Sequence, residues 1–153
     1  MKVNIFKEPQ LKENHIDLHY GIEDKETEVV MKFLDTFQIP ILGKQPEEEK
    51  ERLILPGEIL YLEIVERKCF LYLKDSVWKA DATIQGFLGQ YESQGFVRVS
   101  KSMAVNIHYV RELKAELNMR INIILDNEEV VVLNRNYRNE FLTYLKQLRR
   151  EEK

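Results

Sequence analysis

The amino-acid sequence predicts a mainly β protein of antiparallel strands with a short covering helix and a C-terminal helix, preceded by a small α+β segment. Three observations carry this. Between Leu53 and Leu133, apolar or alternating runs of three to eight residues are separated by short polar turns. From Leu53 onward, apolar residues recur at helical spacing only over 83–91 and from about Asn136 to the end. The pattern before them is different, and it ends at Gly43, Pro46 and the charge run 47–52, which reads as a connection.

Taken in order, Val3 and Ile5, then Ile16, Leu18 and Tyr20, alternate with polar neighbours as half-buried strands do, with Pro9 and Asn14 between them. Two short strands are expected there. Asp24 is placed to cap a helix whose apolar positions are Val29, Val30, Phe33, Leu34 and Phe37, and Pro40 stops it. Residues 1–45 thus form an expected strand-strand-helix segment, and 46–150 the main domain. Residues 53–55, 59–65, 69–73 and 77–80 read as a meander of strands, punctuated by Pro56 and Gly57, Arg67 and Lys68, and Asp75 and Ser76. Ile84, Phe87, Leu88 and Tyr91 mark the covering helix, which closes near Gly95. Strands follow at 96–99, 110–117, 121–125 and 130–133, with Asp126 and Asn127 as a hairpin turn between the last two. Tyr137, Phe141, Tyr144, Leu145 and Leu148 lie on one face of the terminal helix.

A chain of 153 residues is long enough to bury a hydrophobic core. No apolar run approaches the roughly 18 to 20 residues of a membrane-spanning helix, and the N-terminus lacks a signal-peptide core, so a cytoplasmic location is expected. Cys69 is the single cysteine, which excludes an intramolecular disulfide and a thiolate metal cluster. The net charge of −3 is unevenly spread. Residues 23–51 hold nine acidic and four basic side chains, net −5, whereas 96–150 hold six acidic and ten basic, net +4. That asymmetry permits a basic face on an acidic protein.

Enzyme signatures are missing: no phosphate-cradling glycine loop, no GxSxG elbow and no HExxH. Neither enzyme activity nor a cofactor is expected. His15 and His19 would project from one face of a strand about 13 Å apart, too far to share a metal. Three polar turns hold the remaining chemistry. They are Arg67, Lys68 and Cys69; Ser100, Lys101 and Ser102; and Asn134, Arg135 and Asn136, each at the end of an expected strand. Arg and Lys donate to guanine, Asn pairs with adenine, and Ser reaches phosphate or base. Each turn alone reads first as an ordinary hairpin, and only their convergence would point to a ligand. Arg98 reads as a structural ion-pair partner, and Asn106 as a residue that holds its own turn.

The blocks ILYLE at 59–63, FVRVSKSMAVNIHYV at 96–110 and VVVLNRNYRNEF at 130–141 occur in the order of a known family. From Leu53 to about Leu148, close to two thirds of the chain, the sequence resembles the LytTR DNA-binding domains of bacterial transcription regulators. The family's second block has an FxR strand, a polar turn, then Ser, an apolar pair and Asn, here Phe96, Arg98, Ser102, Val105 and Asn106.

The resemblance implies small antiparallel sheets in an elongated sandwich whose loops, rather than a recognition helix, enter the major groove. It implies base contacts from Lys101 and Arg135, a further contact loop at Arg67, Lys68 and Cys69, and DNA bending between the grooves. Ser100, Ser102, Asn134, Asn136 and Arg138 complete the expected DNA-binding set. The chain departs from the common pattern at Ser100 and Asn134, where many members carry His and Ser, and at Cys69, where a His contact can occur. The family's docking mode is therefore expected here, and its target sequence is not. The reading that follows is a sequence-specific DNA-binding transcription regulator whose partner is double-stranded DNA. The alternative is a protein-interaction module that keeps the fold without specific DNA binding. About 45 leading residues are too few for a phosphoacceptor receiver domain. The N-terminal segment is expected to serve homodimerisation or a regulatory partner, a membrane protein among the candidates.

Overall fold

The computed structural model describes residues 1–37, 39–118 and 120–150, which form ten strands and three α-helices. Helix α1 spans Lys25–Phe37. Its cap is Asp24, whose carboxylate accepts from the Thr27 amide at 2.9 Å and the Thr27 hydroxyl at 2.6 Å. The Thr27 bonds hold the Asp24 carboxyl below its ordinary value of 3.8.

Seven strands form one antiparallel sheet: β1 (Ile41–Gln45), β2 (Lys50–Ile54), β3 (Ile59–Val65), β4 (Lys68–Leu73), β5 (Val77–Ala80), β6 (Phe96–Ser100) and β7 (Met103–Asn106). Their order across the sheet is β2-β1-β5-β4-β3-β7-β6. A second sheet, in the order β10-β9-β8, contains β8 (Val110–Ala115), β9 (Ile121–Leu125) and β10 (Val130–Leu133). The large sheet is covered on both faces. On one side Ile84, Phe87 and Tyr91 of α2 (Ile84–Tyr91) pack on Leu62, Leu71, Trp78 and Phe96, with the Phe87 and Phe96 rings edge to face at 4.8 Å. On the other, Leu60, Val97, Val99 and Val105 meet Ile123, Leu125, Val131 and Leu133 of the small sheet and Phe141 of α3 (Arg138–Arg150). Each fully buried side chain of this size stabilises the fold by about 1.5–3 kcal/mol. Double coverage explains why 59–65, 96–99 and 103–105 read as nearly unbroken apolar runs rather than clean alternations.

Gly95 ends the turn after α2 at φ 104°, and a Cβ there would stand 2.8 Å from the His108 ring, so the residue is glycine on two grounds. Asn106, fully buried, donates to the Ile59 carbonyl at 3.0 Å and accepts from the His108 amide at 3.1 Å. It holds the chain where β7 leaves the sheet.

Two expectations are overturned. Residues 1–24 contain no strand, and Val3, Ile5, Ile16 and Tyr20 are exposed. A strand exists only with a ladder neighbour, and alternation alone does not supply one. The stretch read as a connection instead contains β1, which pairs with β2 and β5. The interruption at Gly43 has a packing cause, since a Cβ there would lie 2.4 Å from Ile54 Cδ1 and 3.0 Å from Trp78 Cβ. The strand just before residue 46 is thus part of the large sheet. Among the described residues no helix is long and apolar enough to cross a membrane.

Candidate nucleic-acid interface

Strand register brings the three polar loops to one end of the large sheet. β3 and β7 are antiparallel with Glu63 opposite Met103, so the turn after Val65 and the turn before Met103 lie side by side. The Ile64 amide donates across this end to the Ser102 carbonyl at 2.7 Å. Two strand spacings separate the two turns, about 10 Å. The third loop joins them because the Asn134 amide donates to the Val99 carbonyl, at the end of β6, at 2.8 Å.

The first loop is tighter than expected. Its turn residues are Glu66 and Arg67, both in the left-handed region at φ 51° and 68°, the geometry of a two-residue hairpin whose twist matches its strands. Lys68 already belongs to β4, exposed and opposite Val65. Cys69, expected among the contact residues, is corrected here. It faces the core between Ile64 and Ala80, 1% exposed, and burial pushes its thiol up to about 11. A neutral thiol beneath the sheet surface is not presented to a ligand.

In the second loop Lys101 is exposed, and Ser100 and Ser102 are half-buried. The Ser100 hydroxyl accepts from the Ser102 amide at 3.3 Å. Arg98 braces the loop from below: its Nε donates to the Ser100 carbonyl at 3.1 Å and its Nη2 to the Lys101 carbonyl at 2.5 Å. Its guanidinium also lies 5.3 Å from the centre of the Tyr137 ring, just past the third loop. Arg98 is structural, as expected, through carbonyls and a ring rather than an ion pair. It ties two of the three loops together.

In the third loop the Asn134 side chain accepts from the Asn136 amide at 2.9 Å and caps a single 3-10 turn, Arg135–Tyr137, that leads into α3. Arg135 and Asn136 are exposed on this turn, and Arg138 is half-buried at the start of α3. Among the described residues Arg67, Lys68, Lys101, Arg135 and Arg138 take part in no ion pair. Cations without carboxylate partners, gathered at one end, are available to an anionic ligand.

Sequence reasoning missed a fourth element. The β8–β9 connection closes with the Glu116 amide donating to the Arg120 carbonyl at 2.8 Å, and β9 begins opposite the last residue of β10. The exposed Arg120 therefore stands beside the point where the chain leaves for Asn134. Only the pairing of β9 with β10 reveals this.

A doubly covered antiparallel sheet with three polar loops and their cations at one end defines a mainly β domain whose exposed chemistry lies on its strand connections. Residues 49–146 match the family described as the LytTr DNA-binding domain, and the chain belongs to that family. It is also similar to the sensory transduction protein LytT of Enterococcus faecalis, 25% identical over 103 residues, 67% of this chain. Those residues span only 41% of that relative. Among solved structures it resembles the LytTr DNA-binding domain of a protein described as a methyl-accepting/DNA response regulator from Bacillus cereus. That likeness has a TM-score of 0.65 at 18% identity, covering 71% of this chain and 97% of that one, and it speaks to the fold alone.

Proposed function

We propose that this protein is a sequence-specific transcription regulator that reads the major grooves of double-stranded DNA through its loops. The observation that carries the reading is the meeting of three loops with unpaired cations at one end of a LytTR domain. Lys101 and Arg135, exposed at two loop tips, are assigned to base edges. Arg67, Lys68 and Arg138, with Ser100, Ser102 and Asn136, are assigned to phosphates, which set register and salt dependence. Asn134 is assigned to holding the third loop, since its side-chain oxygen is already engaged. Loops spread along one sheet end would meet adjacent grooves of a duplex bent toward them.

The test begins with a duplex selected by the protein from random DNA. Lys101→Ala and Arg135→Ala are each expected to cost about 1–3 kcal/mol on that duplex and far less on scrambled DNA. Affinity should fall steeply with salt. Flat, sequence-indifferent binding in both variants and the parent would overturn the reading and favour a protein-interaction module on the same fold.

A further inference from the structure

The N-terminal segment is the largest feature that DNA binding leaves unexplained. Among the described residues, 1–23 form no strand, and their backbone holds one internal hydrogen bond, from the Leu11 amide to the Glu8 carbonyl at 3.1 Å. Yet the segment alternates as strands do, and its apolar side chains are open to water: Val3 is 77% exposed, Ile5 92%, Ile16 68% and Ile22 79%. On α1, next in the chain, Val29 is 58% exposed. Singly scattered apolar residues need no explanation, but an alternating apolar set on backbone without ladder partners is a template for another strand.

Charge says what the partner is. Residues 1–12 carry Lys2, Lys7 and Lys12, the terminal ammonium and one acid, Glu8. Residues 13–28 carry Glu13, Asp17, Glu23, Asp24, Glu26 and Glu28 against one lysine, Lys25. The two halves are complementary in sign, so two identical segments placed antiparallel set the cationic half of each on the acidic half of the other. The single chain already shows one such contact, the Met1 ammonium 3.0 Å from Glu26. A two-fold axis makes this self-complementary surface an isologous interface.

We infer that residues 1–23, with the exposed side of α1, form a homodimer interface by strand pairing with the same segment of a second copy, leaving the loop end of each copy free. None of these apolar residues belongs to either core, so variants there keep the DNA-binding region folded.

The test is sedimentation of the full chain beside the double variant Ile5→Asp, Ile16→Asp. The parent is expected at twice the chain mass of 18.3 kDa and the variant at that mass, with superimposable thermal unfolding of the domain. Hydrogen exchange at 3–6 and 15–20 should slow with concentration in the parent alone. A charge-reversed pair supplies a second arm. Lys2→Glu with Lys7→Glu, and Glu26→Lys with Glu28→Lys, should each be monomeric alone and dimeric when mixed. A monomeric parent, a variant that stays dimeric, concentration-independent exchange from folding back on its own chain, or a mixture that stays monomeric would each overturn the inference.

Discussion

Replacing Arg98 with methionine keeps the aliphatic stem and removes three contacts: the bonds to the Ser100 and Lys101 carbonyls and the packing over Tyr137. Bonds from a charged donor contribute about 1.5–3 kcal/mol each, and a cation over an exposed ring about 0.5–1 kcal/mol. The side chain is half-exposed, so the lower figures apply, and because both bonds share one guanidinium the sum of about 3.5 kcal/mol is less than additive and falls to about 2–3 kcal/mol. With the brace gone, the 100–102 hairpin must be ordered by the DNA itself. At about 1.4 kcal/mol per tenfold, affinity for the selected duplex falls roughly 30- to 140-fold. Fluorescence anisotropy over a salt series separates this from the loss of a phosphate contact. A brace leaves the slope of log affinity against log salt unchanged, whereas a phosphate contact lowers it by about 0.9. A reduced slope with little loss of affinity would refute the bracing argument, and so would unchanged affinity.

Cys69→Ala is expected to leave DNA affinity within about twofold, and alkylation of the folded parent at neutral pH to be undetectable by mass spectrometry, because the thiol is buried and protonated. Labelling faster than unfolding would place it at the surface. Asn106→Ala strands the buried Ile59 carbonyl and unpairs the part-buried His108 amide, and urea unfolding should show a loss of about 1–3 kcal/mol. The Asp24 carboxyl is held below 3.8, so its support for α1 is complete above that pH and is lost as pH falls through the lower folded value. Asp24→Asn should shift the acid limb of α1 helicity, followed by circular dichroism, while leaving neutral-pH helicity close to the parent's.

Much of the β architecture is legible in the sequence because its strands are bounded by turn residues. The expected spans 59–65, 77–80, 121–125 and 130–133 coincide with β3, β5, β9 and β10. The failures have specific causes. Strand β1 carries a glycine that makes room for Ile54 and Trp78, a need that arises only once both side chains are in place. The first loop ends one residue earlier than expected, and with a side-chain period of two that shift turns Cys69 from the loop surface into the core. Residues 1–24 alternate without a ladder neighbour among the described residues, and alternation alone makes no strand. Arg98 shows its role only after folding, when the turn it precedes bends back over it and Tyr137 arrives from 39 positions along the chain. The candidate loop residues could be named one by one, but their meeting at one sheet end depends on the pairing of β3 with β7 and of Asn134 with Val99.

With Arg67 in the phosphate-contacting role proposed above, the left-handed pair at Glu66 and Arg67 places two demands on the same positions. Residues with a Cβ are disfavoured there, asparagine least of them, and the backbone would be eased by Asn-Gly. Selection for thermal survival alone would therefore drift toward that dipeptide and discard the guanidinium. Selection for promoter occupancy would keep the arginine and tolerate the strained turn. Lineages or laboratory libraries under the two regimes would part company at residues 66 and 67 before they diverge in either core.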